Sequence, residues 1–110
     1  MGSLYSEYLQ ERTNDHIFED KHGFITWRFI NDQQVYIVDI YVKKEFRKDG
    51  IASNYADYVC SVAKKAGYSE LLGTVVPSTK GSNDSLRVLW DYGMKLHSAD
   101  KDLIIMKKDI

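Results

Sequence analysis

The sequence predicts a mixed α/β fold, one β-sheet flanked by helices, and three stretches carry that expectation. "QVYIVDIYV" (residues 34–42) is an almost unbroken run of β-branched and aromatic residues, as suits a central strand covered on both faces. From Gly50 to Ala66 the apolar period becomes helical, with Ala52, Tyr55, Ala56, Val59, Val62, Ala63 and Ala66 on one face. "ELLGTVV" (residues 70–76) is a second apolar strand, so strand, helix and strand make one β-α-β crossover with its two strands parallel.

The remaining elements fall around that unit. Leu4, Tyr5, Tyr8 and Leu9 recur at helical spacing and predict a short helix over residues 3–12. "HIFED" (16–20) and "GFITWRFI" (23–30) read as strands separated by a turn at Lys21-His22-Gly23. Asn31-Asp32 makes the next turn, and with the central strand the three form an antiparallel meander. Lys64 and Lys65 oppose the dipole at the end of the long helix, and Gly67 is its C-terminal cap. Pro77 stops the fourth strand. A polar loop, "PSTKGSND" (77–84), leads to a second amphipathic helix, "SLRVLWDYGMKL" (85–96), and "DLIIMKKDI" (102–110) is the last strand. The expected order is helix, three strands, helix, strand, helix, strand.

Bulk properties bound the function. A chain of 110 residues forms one domain, expected here to span 1–110. With 44% hydrophobic and 28% charged residues it has the composition of a soluble globular protein. A net charge of −1 gives no general field toward nucleic acid or membrane, and neither is expected as a partner. Cys60 is the sole cysteine, which rules out an internal disulfide and suits a reducing, cytoplasmic location. No apolar run reaches the length of a membrane span, and no signal peptide is visible. Gly2 and Ser6 fit the myristoylation pattern, but a start methionine with a cloning remnant, or a chance match, accounts better for so short a motif. His16, His22 and His97 lie far apart without ligand spacing, so no metal is expected. Cys60, mid-helix among apolar neighbours, reads as a buried, inert thiol, and Trp27 and Trp90 as packing residues before pocket lining.

The chemistry concentrates in "EFRKDGIAS" (residues 45–53), between the central strand and the long helix. Unpaired N–H groups and the positive end of the helix dipole meet there, which makes an anion site. Gly50 permits unusual dihedrals and close approach of a ligand, Ala52 keeps the first turn uncluttered, and Arg47 and Lys48 add positive charge. A P-loop would need Gly-Lys-Ser or Gly-Lys-Thr here, and a dinucleotide fingerprint three glycines; neither is present. On these nine residues alone, a plain strand-to-helix loop with solvated charges fits as well as a phosphate site.

"IYVKKEFRKDGIASNYADYVCSVAKKAGYSEL" resembles the acetyl-CoA-binding segment of the GNAT superfamily of N-acetyltransferases. The family pattern of Arg or Gln, two residues, Gly, one residue, then Gly or Ala is met by Arg47, Gly50 and Ala52. "AGYSEL" resembles the family's helix exit into its next strand, and Gly93-Met94 stand where Gly-Phe usually ends the following helix. The resemblance covers residues 16–108 and implies a GNAT-like central mixed sheet whose β-α-β crossover binds the cofactor. It implies acetyl-CoA as co-substrate, with the amides of Arg47, Lys48, Asp49, Gly50, Ile51 and Ala52 on the pyrophosphate. The strand holding Ile40, Tyr41 and Val42 would splay from the one holding Leu72 to Val75, and the pantetheine arm would lie in the gap. A backbone N–H near Tyr41 would polarise the thioester carbonyl, an oxyanion-type contact independent of side-chain identity. Ser85 either touches the cofactor arm or caps its helix, and Lys43, Lys44 and Lys48 either reach the phosphates or stay solvated.

The catalytic positions depart from the family. Many relatives carry a Glu base where this chain has Tyr36, and a tyrosine hydroxyl is a poor base near neutral pH. Asp39 is the nearest carboxylate on the strand, and strict alternation puts it on the face opposite Tyr36 unless a bulge intervenes. Relatives often use a Tyr acid where Leu89 stands; Trp90 is no acid, and Tyr92 is the nearest candidate. The N-terminal half is short, which leaves the acceptor side open or completed by a second copy in a homodimer. The expected function is transfer of acetyl from acetyl-CoA to an amine by direct attack. The alternative is a catalytically weak or inactive coenzyme A-binding regulatory or structural domain. No acceptor motif is legible.

Overall fold

The computed structural model describes residues 4–110. Its elements are α1 (Leu4–Thr13), β1 (His16–Glu19), β2 (Gly23–Phe29), β3 (Gln34–Val42), α2 (Ile51–Lys65), β4 (Glu70–Val75), α3 (Ser82–Asp91), β5 (Lys95–Asp100) and β6 (Leu103–Asp109). The strands join in one six-stranded sheet, order β1-β2-β3-β4-β6-β5. β3 and β4 are parallel; the other neighbours are antiparallel. This is the mixed α/β sheet expected, with one strand more. Gly2 and the side chain of Ser6 lie outside the described residues, and no helix among those described is long and apolar enough to cross a membrane.

The additional strand is β5. The residues expected to end the second helix, Lys95 and Leu96, belong to it instead. The cause is a hydrogen-bonded stop after α3. Gly93 adopts φ 94°, its N–H bonds the Trp90 carbonyl (3.0 Å), and the Met94 N–H reaches back to Leu89 (3.1 Å). Every residue of β5 is exposed, so this edge strand lacks the apolar alternation by which strands are recognised. α2 ends by the same device, with Gly67 at φ 93° and the Tyr68 N–H bonded to Ala63 (2.9 Å), as its sequence suggested.

The core lies on one face of the sheet. Ile25, Trp27, Val35, Ile37, Leu71 and Val75 meet Tyr55, Ala56, Val59 and Ala63 of α2 and Leu89 of α3. A Cβ on Gly73 would come within 3.1 Å of a Leu89 methyl, so α3 sits directly on β4. The Tyr55 hydroxyl donates to Asp20 (2.6 Å) and ties α2 to the β1–β2 turn. On the opposite face α1 lies against β1, with the Tyr5 ring edge-on to Phe24 of β2.

Candidate active site

The β3–β4 ladder stops partway along both strands. It runs from Gln34–Glu70 to Ile37–Gly73; beyond that, among the described residues, β3 is paired only with β2 and β4 only with β6. Ile40, Tyr41 and Val42 therefore part from Thr74 and Val75, while Leu72 still pairs with Tyr36 on the closed side. The Tyr36 hydroxyl and Thr74 Oγ1 are hydrogen-bonded at 2.7 Å where the parting begins.

A bulge lies at the same level. Thr26 faces Asp39 while Trp27 faces Ile37, so Val38 is an extra residue in β3. Of the two arrangements that the sequence left open, strict alternation or a bulge, the structure has the bulge. Thr26 and Arg28 share a face, their partners are Asp39 and Tyr36, and so those two residues lie on one face, opposite α2. The same bulge turns Ile37 and Ile40 together toward the helices.

β3 exits into a short 3-10 turn (Lys44–Phe46), anchored by the Lys43 N–H on the His22 carbonyl (2.8 Å). Lys48 (φ 71°) and Gly50 (φ 77°) are both left-handed, which is costly at a lysine and marks a backbone held in a special shape. Among the described residues no side chain caps α2; its first intrahelical bond is Asn54 N–H to the Gly50 carbonyl (3.0 Å). A Cβ on Gly50 would meet nothing within 4 Å, so the space beside that residue is open. Asp49 is exposed, and Ile51 and Ala52 form the half-buried first turn. Arg47 does not project freely. Its Nε donates to the Val42 carbonyl (2.9 Å), and its guanidinium carbon lies 5.9 Å from the centre of the Tyr41 ring.

Other candidates are placed elsewhere. The Tyr92 hydroxyl donates to Asp57 Oδ1 of α2 (2.7 Å) and lies 3.4 Å from Cys60 Sγ, so it is on the helix-covered side, apart from Tyr36 and Asp39. Burial, then the bond to Asp57, pushes its proton affinity well above that of an ordinary tyrosine. Burial likewise raises the Cys60 thiol, consistent with an inert residue. Ser85 is exposed in the first turns of α3, but the cap position belongs to Gly81, which removes the capping role. Trp27 is buried against α2, stacked on His16 and edge-on to Tyr58. A hollow of about 270 Å³ lined by Gly93, Lys95, His97 and Lys107 shares no residue with the parted strands.

Two features of the open face were not anticipated. Arg28 makes a two-pronged ion pair with the buried Asp15 (2.5 and 3.1 Å), and Thr74 anchors Tyr36. Both link residues distant in sequence, and only the strand register could have revealed them.

The acetyltransferase (GNAT) family pattern matches residues 6–87. In fold the chain is similar to a protein of the GNAT family from Desulfovibrio desulfuricans (TM-score 0.82, 16% identity), covering 96% of this chain and 76% of that one. It is also similar to the PaiA N-acetyltransferase of Thermoplasma acidophilum in complex with coenzyme A (TM-score 0.76, 23% identity, 97% and 69% covered). Similarity to Ard1 from Thermoplasma volcanium is lower (TM-score 0.67, 19% identity), and the chain spans 81% of itself and 63% of Ard1. No curated protein matches in sequence.

Proposed function

The chain belongs to the acetyltransferase (GNAT) family, and from that premise we propose that it binds acetyl-CoA where β3 and β4 part and transfers the acetyl group to an amine. The observation that carries this is the ladder ending at Ile37–Gly73 directly beneath a junction with two left-handed residues and an uncapped helix. The residues present fit the co-substrate. The open space over Gly50 admits a diphosphate to the amides of Arg47 through Ala52, and the unpaired edge of Ile40, Tyr41 and Val42 offers main-chain groups to the pantetheine arm. Ser85 would stand beside that arm. The likeness to a coenzyme A complex supports the same assignment.

Acetyl-CoA supplies a thioester carbonyl open to attack by an amine. The chain's part is to position and to move protons. The N–H near Tyr41 polarises the carbonyl, and Asp39 accepts the acceptor's ammonium proton on the face it shares with Tyr36. Tyr36, held by Thr74, orients the acceptor. Tyr92 does not act as the acid, because its proton is committed to Asp57, and water serves the leaving thiolate. Holding amine and thioester together supplies the larger share, roughly 7–11 kcal/mol in well-oriented cases.

The test is calorimetric titration with acetyl-CoA, followed by thiol release with a panel of amines. A micromolar site corresponds to about −8 kcal/mol. Gly50→Val places a branched side chain in the open space and at a φ it disfavours, so the expected result is loss of the binding heat in a protein that still folds. Unchanged heat in this variant would put the co-substrate elsewhere. Binding without thiol release across the panel favours the second reading, a coenzyme A-binding domain without chemistry. The absence of a Glu at Tyr36 and the engagement of Tyr92 are what favour it.

A further inference from the structure

The face left uncovered by α2 and α3 carries three aromatic rings in a row. Tyr5 of α1 meets Phe24 of β2 edge-on at 6.4 Å, and Phe24 meets Tyr41 of β3 at 5.7 Å with their planes 32° apart. Phe24 and Tyr41 are a cross-strand pair, Thr26 and Asp39 the next, so the rings and Asp39 share one face. Tyr5 and Tyr41 are 48% and 46% exposed, far more than packing rings need. Arg28 is committed to Asp15, and no cation among the described residues pairs with Asp39. One unpaired carboxylate therefore shares a face with a row of partly exposed aromatic rings.

That combination complements an ammonium carried on a flat, apolar body. The carboxylate takes the charge and the rings take the body, by aromatic edge and stacking contact. Arg47 closes the row on the junction side, and its charge turns the incoming cation away from the phosphate end and toward Asp39. We infer that the acceptor is an arylalkyl primary amine, laid along Tyr5, Phe24 and Tyr41 with its ammonium at Asp39. This rests on the acetyl-transfer reading above. Asp39 takes one proton from the ammonium; the amine nitrogen then bonds the acetyl carbon, the carbon–sulfur bond breaks, and the nitrogen's second proton goes by way of water to the thiolate. The products are an N-acetyl arylalkylamine and coenzyme A.

The experiment measures thiol release from acetyl-CoA with 2-phenylethylamine, butylamine, spermidine and a short peptide lacking aromatic residues. The expected kcat/KM for phenylethylamine is about tenfold above that for butylamine, the scale of one good aromatic contact. Tyr5→Ala and Tyr41→Ala, both at exposed positions, bring that ratio toward one by raising KM, and Asp39→Asn slows every cationic acceptor. A wild-type ratio near one, a preference for spermidine or the peptide, or tyrosine variants that leave the ratio unchanged would overturn the acceptor assignment. In each of those cases thiol release leaves acetyl transfer itself standing, whereas absence of acetyl-CoA heat defeats both.

Discussion

Along Gln34–Ile37, β3 has a hydrogen-bonded strand on each side; along Val38–Val42 it has one. The closed half buries Val35 and Ile37 and pairs them with Leu71 and Gly73. The open half exposes Asp39 and Tyr41 and leaves one edge of main-chain donors and acceptors without a strand. Buried backbone groups need partners, so an unpaired edge inside a sheet is kept only where something else supplies them. A single nine-residue strand thus divides a buried, doubly paired half from an exposed, singly paired one, and Val38, the extra residue, lies where the two meet.

The sharpest way to break that division is to damage each half and compare stabilities. Leu71 is fully buried in the closed half, and Leu71→Ala should cost about 2–5 kcal/mol in urea unfolding. Tyr41→Ala, on the exposed side of the open half, removes only a ring pair with Phe24 and should cost about 0.5–1.5 kcal/mol. Equal losses would mean that the open half also carries the fold.

The closed half was legible in the sequence because burial writes itself in composition. "QVYIVDIYV" read as a central strand and "ELLGTVV" as a further apolar strand, and the glycine after Ala66 marked the end of α2. β5 was not legible, since an edge strand exposed on every residue carries no hydrophobic period. The strand-to-helix junction was visible through Gly50 and its neighbours, but the left-handed Lys48 was not, because lysine gives no hint of positive φ. The bulge was equally hidden. Val38 looks like any strand residue, yet its insertion decides which face Asp39 occupies. The surroundings of Tyr92 were hidden for a related reason: three residues beyond Leu89 it sits past the last turn of α3, where its hydroxyl meets α2.

A smaller effect is expected at the boundary itself. Tyr36→Phe removes the 2.7 Å bond to Thr74 while keeping the ring, and should cost about 1 kcal/mol, the net value of a typical hydrogen bond. Thr74→Val should cost a similar amount, and the double variant about the same as either alone, since both delete one interaction. Additive losses would show that the two hydroxyls act separately, and the boundary would then have no latch.

The smallest effect belongs to the far end of the closed half. There Glu70 accepts from Lys107 Nζ (2.9 Å) and from Gln34 Nε2 (2.9 Å), bridging β3, β4 and β6. The Lys107 bond, then the Gln34 bond, holds the Glu70 carboxyl below its ordinary value, and the same pairing raises Lys107. A depressed carboxyl contributes stability above its unfolded pKa and loses it as pH falls through the folded one; a raised ammonium contributes below its unfolded pKa and loses it as pH rises through its folded one. The stabilisation is therefore present between about pH 5 and pH 10 and fades on the acid side first reached below about pH 4. Being near solvent, the pair is weak and screened by salt. Glu70→Gln should lower the urea midpoint slightly near neutral pH at low salt, with the gap closing in acid or in strong salt. A gap that persists in acid would assign the loss to packing of the side chain, and the closed end would then owe nothing to charge.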